Sequence, residues 1–269
     1  MEFFKKIINE LRNTGERPQI ETMFEEIQPV LQFAYKFAKG KIRNKSILDY
    51  GCGGGYGTEY LSRFTNKSVI GFDIDKKTIN VNKDFYSSID NLIFTDNLNN
   101  LSSYDVVVSL QVIEHLNRKD METYLFNIKK YLKENGIFIL ATVNKNVTSY
   151  KLKKPIMPFH IHEFYPTELA KELKKYFRRV KVYGQMTENV MKKTVSGKHC
   201  YNKNYDREVK LKILRFISQI GIIRRIVRHI PLFIKSFILG YKSNLREKYI
   251  LVNDENLIDN SYVLICECN

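Results

Sequence analysis

The sequence predicts an α/β protein built on a doubly wound, mostly parallel sheet, and three observations carry that prediction. A short apolar run, Ser46–Tyr50, leads into a glycine-dense turn, Gly51-Cys-Gly-Gly-Gly55, and a helical pattern begins near Thr58. Short apolar runs then alternate with helical segments through the middle of the chain, the order from which parallel βαβ units are built. Two of those runs, Tyr104–Leu110 and Gly136–Thr142, are apolar almost without interruption, as strands covered on both faces are.

The first element is a short amphipathic helix over Glu2–Arg12, with Phe3, Phe4, Ile7, Ile8 and Leu11 on one side, ended by the turn-rich Thr14–Pro18. Helical periodicity returns from Thr22 to Ala38 through Met23, Ile27, Val30, Leu31, Ala34 and Phe37. Beyond the glycine turn, Ser68–Asp73 reads as a strand, Lys76–Tyr86 as a helix and Asn91–Thr95 as a strand. A helix over Met121–Lys133 separates the two long apolar strands. A helix over Pro166–Tyr176, a strand over Arg179–Gly184 and a closing strand over Ser261–Cys268 complete the pattern. The chain therefore divides into a helical cap (1–45), a sheet core (46–184), an insertion or lid (185–260) and a final core strand (261–269).

The insertion is the most basic part of the chain, with Lys192, Lys193, Lys198, Lys203, Lys210, Lys212, Arg215, Arg224, Arg225, Arg228, Lys235 and Lys242. Apolar residues from Leu211 to Ile238 run between them at near-helical spacing, broken by Pro231. Basic residues against an apolar face suit a helix pair on a membrane interface or a lipid carrier, through 208–242. The other reading packs the apolar side on the core and leaves the basic side in water, and both stay open.

The net charge of +15 calls for a partner such as nucleic acid, an anionic membrane or a phosphorylated substrate, or else reflects a Lys- and Asn-rich composition. The four cysteines, Cys52, Cys200, Cys266 and Cys268, have neither zinc-site nor disulfide-framework spacing. Reduced thiols in a cytoplasmic protein, peripheral at the membrane if the insertion docks there, are expected. Early acids (Glu2, Glu10) argue against an export signal, and no apolar stretch is long enough to span a bilayer.

A lone G-x-G-x-G is weak evidence of function. The strand Ser68-Val-Ile-Gly-Phe-Asp73 sharpens it, because it ends on an acid about 20 residues on, where a carboxylate can accept both hydroxyls of a ribose. Ile47-Leu-Asp-Tyr-Gly-Cys-Gly-Gly-Gly55 resembles the V-L-D-x-G-C-G-x-G motif of the class I S-adenosylmethionine (SAM)-dependent methyltransferases. A nicotinamide-dinucleotide fold competes, but Asp49 and Cys52 fit it poorly. The resemblance covers about Thr14–Gly184 and the final strand. It implies a Rossmann-like sheet with an antiparallel last strand beside the preceding one, and SAM as cofactor. It also implies that Gly51, Gly53 and Gly55 approach the amino-acid moiety, with Asp49 just before them in the same site. On the same ground Asp73 holds the ribose, Asp96 and Asn97 meet the adenine edge, and Leu110 and Gln111 border the cofactor through the backbone.

Methyl transfer from a sulfonium is an in-line displacement that needs alignment, and a general base when the acceptor is a hydroxyl. Gln111-Val-Ile-Glu-His115 is similar to the Glu-x-x-Glu-His element of ubiquinone-type O-methyltransferases, whose acids and His ligate a divalent metal. Gln111 replaces the first acid, so no metal is assigned, and His115 is a candidate base. Its other reading is a packed histidine at a helix start. Pro158-Phe-His-Ile-His-Glu-Phe164, followed by Tyr165-Pro-Thr-Glu-Leu, resembles the His-x-Arg-Glu-Phe-x-x-x-Glu-Leu stretch of small-molecule and glycan methyltransferases, with His162 replacing Arg. His160 is the second candidate base, against a structural loop histidine, and an extended segment places His160 and His162 on one face. Gly15-Glu-Arg17 resembles the cap of sugar and lipid-linked-glycan methyltransferases, or is a plain helix-start turn.

These resemblances imply O-methylation of a sugar hydroxyl on a glycan, nucleotide sugar or lipid-linked saccharide. Ser109-Leu-Gln-Val-Ile113 is unlike the Asn/Asp-Pro-Pro-aromatic motif that holds an extruded base, and no Pro-Cys dipeptide is present. An RNA methyltransferase therefore rests on charge alone. A non-catalytic SAM-fold binding protein is the other alternative.

Overall fold

A computed structural model describes residues 29–155, 159–196 and 248–269, together with Phe24 and Met157. Helix α1 (Pro29–Lys39) precedes β1 (Ile47–Tyr50), and the glycine turn joins β1 to α2 (Tyr56–Ser62). Strands β2 (Val69–Phe72) and β3 (Leu92–Thr95) flank α3 (Lys76–Phe85). Then come β4 (Tyr104–Leu110), a 3-10 turn over Ile113–His115, α4 (Arg118–Tyr131) and β5 (Leu132–Val143). The short α5 (Lys145–Thr148), α6 (Pro166–Leu173), β6 (Val180–Thr187) and α7 (Glu188–Val195) follow. The chain closes with β7 (Tyr249–Val252), α8 (Glu255–Asp259) and β8 (Val263–Cys268).

One eight-stranded sheet runs in the order β3-β2-β1-β4-β5-β8-β6-β7. The strands from β3 to β5 are parallel neighbours, and the order reverses between β1 and β4. A crevice opens beyond the C-terminal strand ends at such a reversal. Alternate side chains explain the unbroken apolar runs. Leu48, Val107, Phe138 and Leu140 face one core, against Leu125 and Ile128 of α4. Ile47, Val106, Val108 and Ile139 face the other, against Phe24, Tyr35, Leu61 and Ile79.

The main correction concerns the insertion. Its two ends belong to the sheet: β6 continues to Thr187, and Tyr249-Ile-Leu-Val252 pairs antiparallel with Gly184–Thr187. A β-branched and aromatic run this short is easily taken for part of a helical segment. β8 lies antiparallel beside β6, as expected, and its other edge pairs with β5, but β7 makes a second antiparallel strand where one was expected. Helix α4 starts at Arg118 because Asn117 caps it, accepting the Asp120 amide at 3.0 Å. β5 starts earlier than Gly136, through the polar Lys133-Glu-Asn135, with a register shift opposite Tyr104–Val106. The predicted helix over Glu2–Arg12, the Gly15-Glu-Arg17 element and the basic stretch 208–242 lie outside the described residues.

Asn144 locks the site end of β5 to the last strand. Its Nδ2 donates to the carbonyls of Ile258 and Ser261, both at 2.9 Å, while its Oδ1 accepts the Asn146 amide at 3.0 Å. The side chain is fully buried, so truncation strands carbonyls that water cannot reach. Asn144→Ala is expected to lower the unfolding free energy by about 2–4 kcal/mol, read as an earlier urea midpoint with unchanged slope.

Candidate functional site

The glycine turn is held from below by β2. The amides of Gly51 and Cys52 both donate to the Phe72 carbonyl, at 2.7 and 3.0 Å. Gly51, Gly53 and Gly55 have φ of 87, 52 and 76°, the left-handed region that glycine enters without strain. A Cβ on Gly51 would meet Val112 at 2.4 Å, and one on Gly55 would meet Phe94 and Tyr86 at 2.8 Å. At Gly53 nothing lies within 4 Å. The flanking glycines thus serve packing, and the middle one faces open space. Asp73, 2% exposed at the end of β2, accepts the Gly53 amide on Oδ2 and the Asp75 amide on Oδ1, both at 2.9 Å. The cap of α3 is Asp75, which accepts the Lys77 amide, so Asp73 has no capping duty.

Asp49 is buried, 1% exposed. Its Oδ2 accepts the hydroxyls of Thr58 at 2.7 Å and Tyr35 at 3.3 Å. Burial, with a smaller contribution from the charge of Asp73, raises its carboxyl from 3.8 to about 7 against those hydrogen bonds. It is a strut between turn and helices. Asp96 and Asn97 follow β3, and the Asn97 side chain accepts the Asn99 amide, capping the 3-10 turn over Leu98–Asn100. Leu110 ends β4, and Gln111 sits at φ 56° with its amide donating to the Ala141 carbonyl at 2.8 Å. A non-glycine residue in that region carries strain and is a common mark of a site.

Next to the turn, the 3-10 segment and the loop before α6 build a second group. Glu114 is fully buried; its Oε2 accepts the Thr142 hydroxyl at 2.9 Å and its Oε1 has no hydrogen-bond partner. Burial pushes its carboxyl up from 4.5 to about 7, although the nearby His160 pulls the other way. His115 Nδ1 lies 3.1 Å from the Phe159 carbonyl, and His160 Nδ1 lies 2.7 Å from Glu163 Oε1. The two rings meet edge to face with centroids 5.2 Å apart. Side-chain donor atoms of Glu114, His115 and His160 all lie within 4.8 Å of one another.

Sequence treated His115 and His160 as separate candidates, and the structure brings them into one cluster. Two members were missed: Glu114, one residue before His115, and Glu163, three after His160. The expectation that His160 and His162 share a face is wrong. The segment is not a regular strand, since the His160 amide turns back to the Met157 carbonyl and the Ile161 and His162 amides both donate to the Glu114 carbonyl. His162 therefore faces Glu168 at 2.9 Å, with its side chain 42% exposed. Asp49, Gly53 and Asp73 sit on the β1–β2 side of the crevice, and the His cluster lies on the β4–β5 side. Val112 against Gly51 is the seam between them.

Residues 20–180 match the family described as a methyltransferase domain. The chain is 32% identical over 127 residues to a ubiquinone biosynthesis O-methyltransferase of Pelagibacter ubique, covering 45% of this chain and 51% of that protein. It is 32% identical over 146 residues to a probable S-adenosylmethionine-dependent methyltransferase of Mycolicibacterium smegmatis, covering 53% and 55%. The chain thus spans about half the length of the curated relatives it matches. In fold it is similar to a SAM-dependent methyltransferase, possible histamine N-methyltransferase, of Thermotoga maritima. That likeness has a TM-score of 0.55 at 13% identity, over 100% of this chain and 98% of the other.

The raised carboxyl of Asp49 makes a prediction about stability. Its folded value lies above its unfolded one, so the folded chain holds the extra proton between about pH 4 and about pH 7, and stability falls as pH rises through that window. Asp49→Asn removes this term. Thermal melts at pH 5 and pH 7.5 are expected to show the variant gaining on the natural chain as pH rises, by up to about 1.4 kcal/mol per pH unit. Parallel profiles would contradict it.

Proposed function

The chain belongs to the class I SAM-dependent methyltransferases, and from that membership we propose that it transfers a methyl group from SAM to a sugar hydroxyl. The acceptor is a glycan, a nucleotide sugar or a lipid-linked saccharide. The observation that carries the hydroxyl half of this reading is the Glu114–His115–His160 cluster beside the glycine turn. Two imidazoles at the strand ends give the site side chains able to accept a proton.

The donor half fits the cradle. Gly53 leaves open space at the apex of the turn, and Asp73 stands beside it as a buried carboxylate suited to a ribose diol. Asp96, Asn97, Leu110 and Gln111 border the same crevice. When bound, SAM supplies a methyl on a positively charged sulfur, which departs as a neutral thioether as the acceptor oxygen gains the methyl. The chain's own task is to align that oxygen and accept its proton. His160 takes the proton at Nε2, and His115 flanks it with Nδ1 committed to the Phe159 carbonyl. The basic stretch 208–242 supports an acceptor presented at an anionic lipid surface.

A second reading adds a divalent cation, favoured by the three clustered donors, the unpartnered Glu114 Oε1 and the protein acceptors on both Nδ1 atoms. What such a cation supplies is Lewis-acid lowering of the acceptor hydroxyl's pKa.

Transfer of labelled methyl from SAM into an extract of the source organism, sorted into lipid, glycan, RNA and protein, tests the reading. Label is expected in lipid-linked or soluble glycan, and His160→Ala is expected to lower the rate about 10²–10⁴-fold. Label in RNA, with salt-sensitive RNA affinity, would overturn the acceptor. Chelator treatment separates the two versions: an unchanged rate supports the histidine base, while loss restored by an added divalent ion supports the cation.

A further inference from the structure

We propose that Glu163 is a positioning residue that fixes the His160 ring with Nδ1 protonated and Nε2 turned to the cluster; this rests on His160 acting in the site proposed above. The Glu163 side chain has no exposed surface, and that of His160 is 6% exposed. One carboxylate oxygen meets His160 Nδ1 at 2.7 Å, and the other accepts the Thr148 hydroxyl at 2.5 Å. Ser149 adds a further hydroxyl bond to the same carboxylate, so its buried oxygens are met by side-chain donors.

An ionised carboxylate only accepts hydrogen bonds, so Nδ1 of His160 must donate and a neutral ring must carry its lone pair on Nε2. That is the nitrogen the proposed proton transfer uses. Once Nε2 has taken a proton, the adjacent carboxylate also stabilises the imidazolium, as an acid partner does in other carboxylate–histidine pairs.

A plain brace for the loop is the rival account, and the backbone argues against it. The loop is already tied by the Ile161 and His162 amides to the Glu114 carbonyl, by the Lys145 amide to the Phe164 carbonyl and by the Asn144–Phe164 bridge. What Glu163 adds is control of one side chain, at the cost of burying a charge that must be fully hydrogen-bonded to be tolerated. A glutamine could brace Thr148 equally well. Its amide offers both a donor and an acceptor, so it could not dictate which ring nitrogen carries the proton.

The test is long-range ¹H–¹⁵N correlation of the histidine rings at neutral pH in the natural chain, Glu163→Gln and Glu163→Asp, with His160→Ala to assign the signal. The natural chain is expected to show His160 protonated at Nδ1. Glu163→Gln is expected to shift the ring to a mixture of tautomers with the melting temperature and SAM-analogue binding retained, and Glu163→Asp to keep part of the natural pattern. Labelled-methyl transfer is expected to fall at least tenfold in Glu163→Gln without a change in KM for SAM. An unchanged ring pattern in Glu163→Gln would overturn the inference, as would a tautomer change seen only alongside lost folding in both variants. Full activity in His160→Ala would instead overturn the catalytic reading while the ring measurement still reports on Glu163.

Discussion

The site depends on one constraint: β1 must end, reverse direction and start a helix within a few residues, at the point where the sheet order reverses. Only a chain that can hold φ of 87, 52 and 76° at alternate positions does so without strain. The neighbouring strand enforces the shape. The Phe72 carbonyl takes two amides of the turn, and Asp73 takes the amide of Gly53. The same contacts that fold the turn place a carboxylate beside an open backbone apex, so on the proposed reading folding and donor binding use one set of groups.

Asp49, Asp73, Glu114 and Glu163 are all buried in this part of the fold, and their surroundings set different tasks. Asp73 spends its oxygens on backbone amides. Asp49 and Glu114 have few donors, and burial raises both. Glu163 has hydroxyl and imidazole donors on both oxygens and is lowered. The cost of ionising an acid inside this core is met where donors converge and left unmet where they do not.

Local features were legible in the sequence. The glycine turn, the acid at Asp73 and the continuous apolar runs follow from spacing and periodicity, while the motif over Ile47–Gly55 and the placement of the final strand come from the family resemblance. Contacts between distant segments were not. Nothing near Glu114 reveals that its carbonyl will hold the amides of Ile161 and His162, and that pairing decides which histidine enters the cluster. Period-2 reasoning put His160 and His162 together because it assumed an extended chain, whereas the Ile161 and His162 amides both turn to the Glu114 carbonyl. The strand Tyr249–Val252 was lost inside a basic stretch because four residues are too few to outweigh their neighbours.

The central claim is that the glycine turn with Asp73 holds the donor, and that the His160 cluster is a separate, acceptor-side unit. Titration calorimetry with S-adenosylhomocysteine on the natural chain, Asp73→Ala and His160→Ala tests it most directly. The account predicts binding to the natural chain and to His160→Ala, and its loss in Asp73→Ala. Undiminished binding in a folded Asp73→Ala, or none by the natural chain, would contradict it.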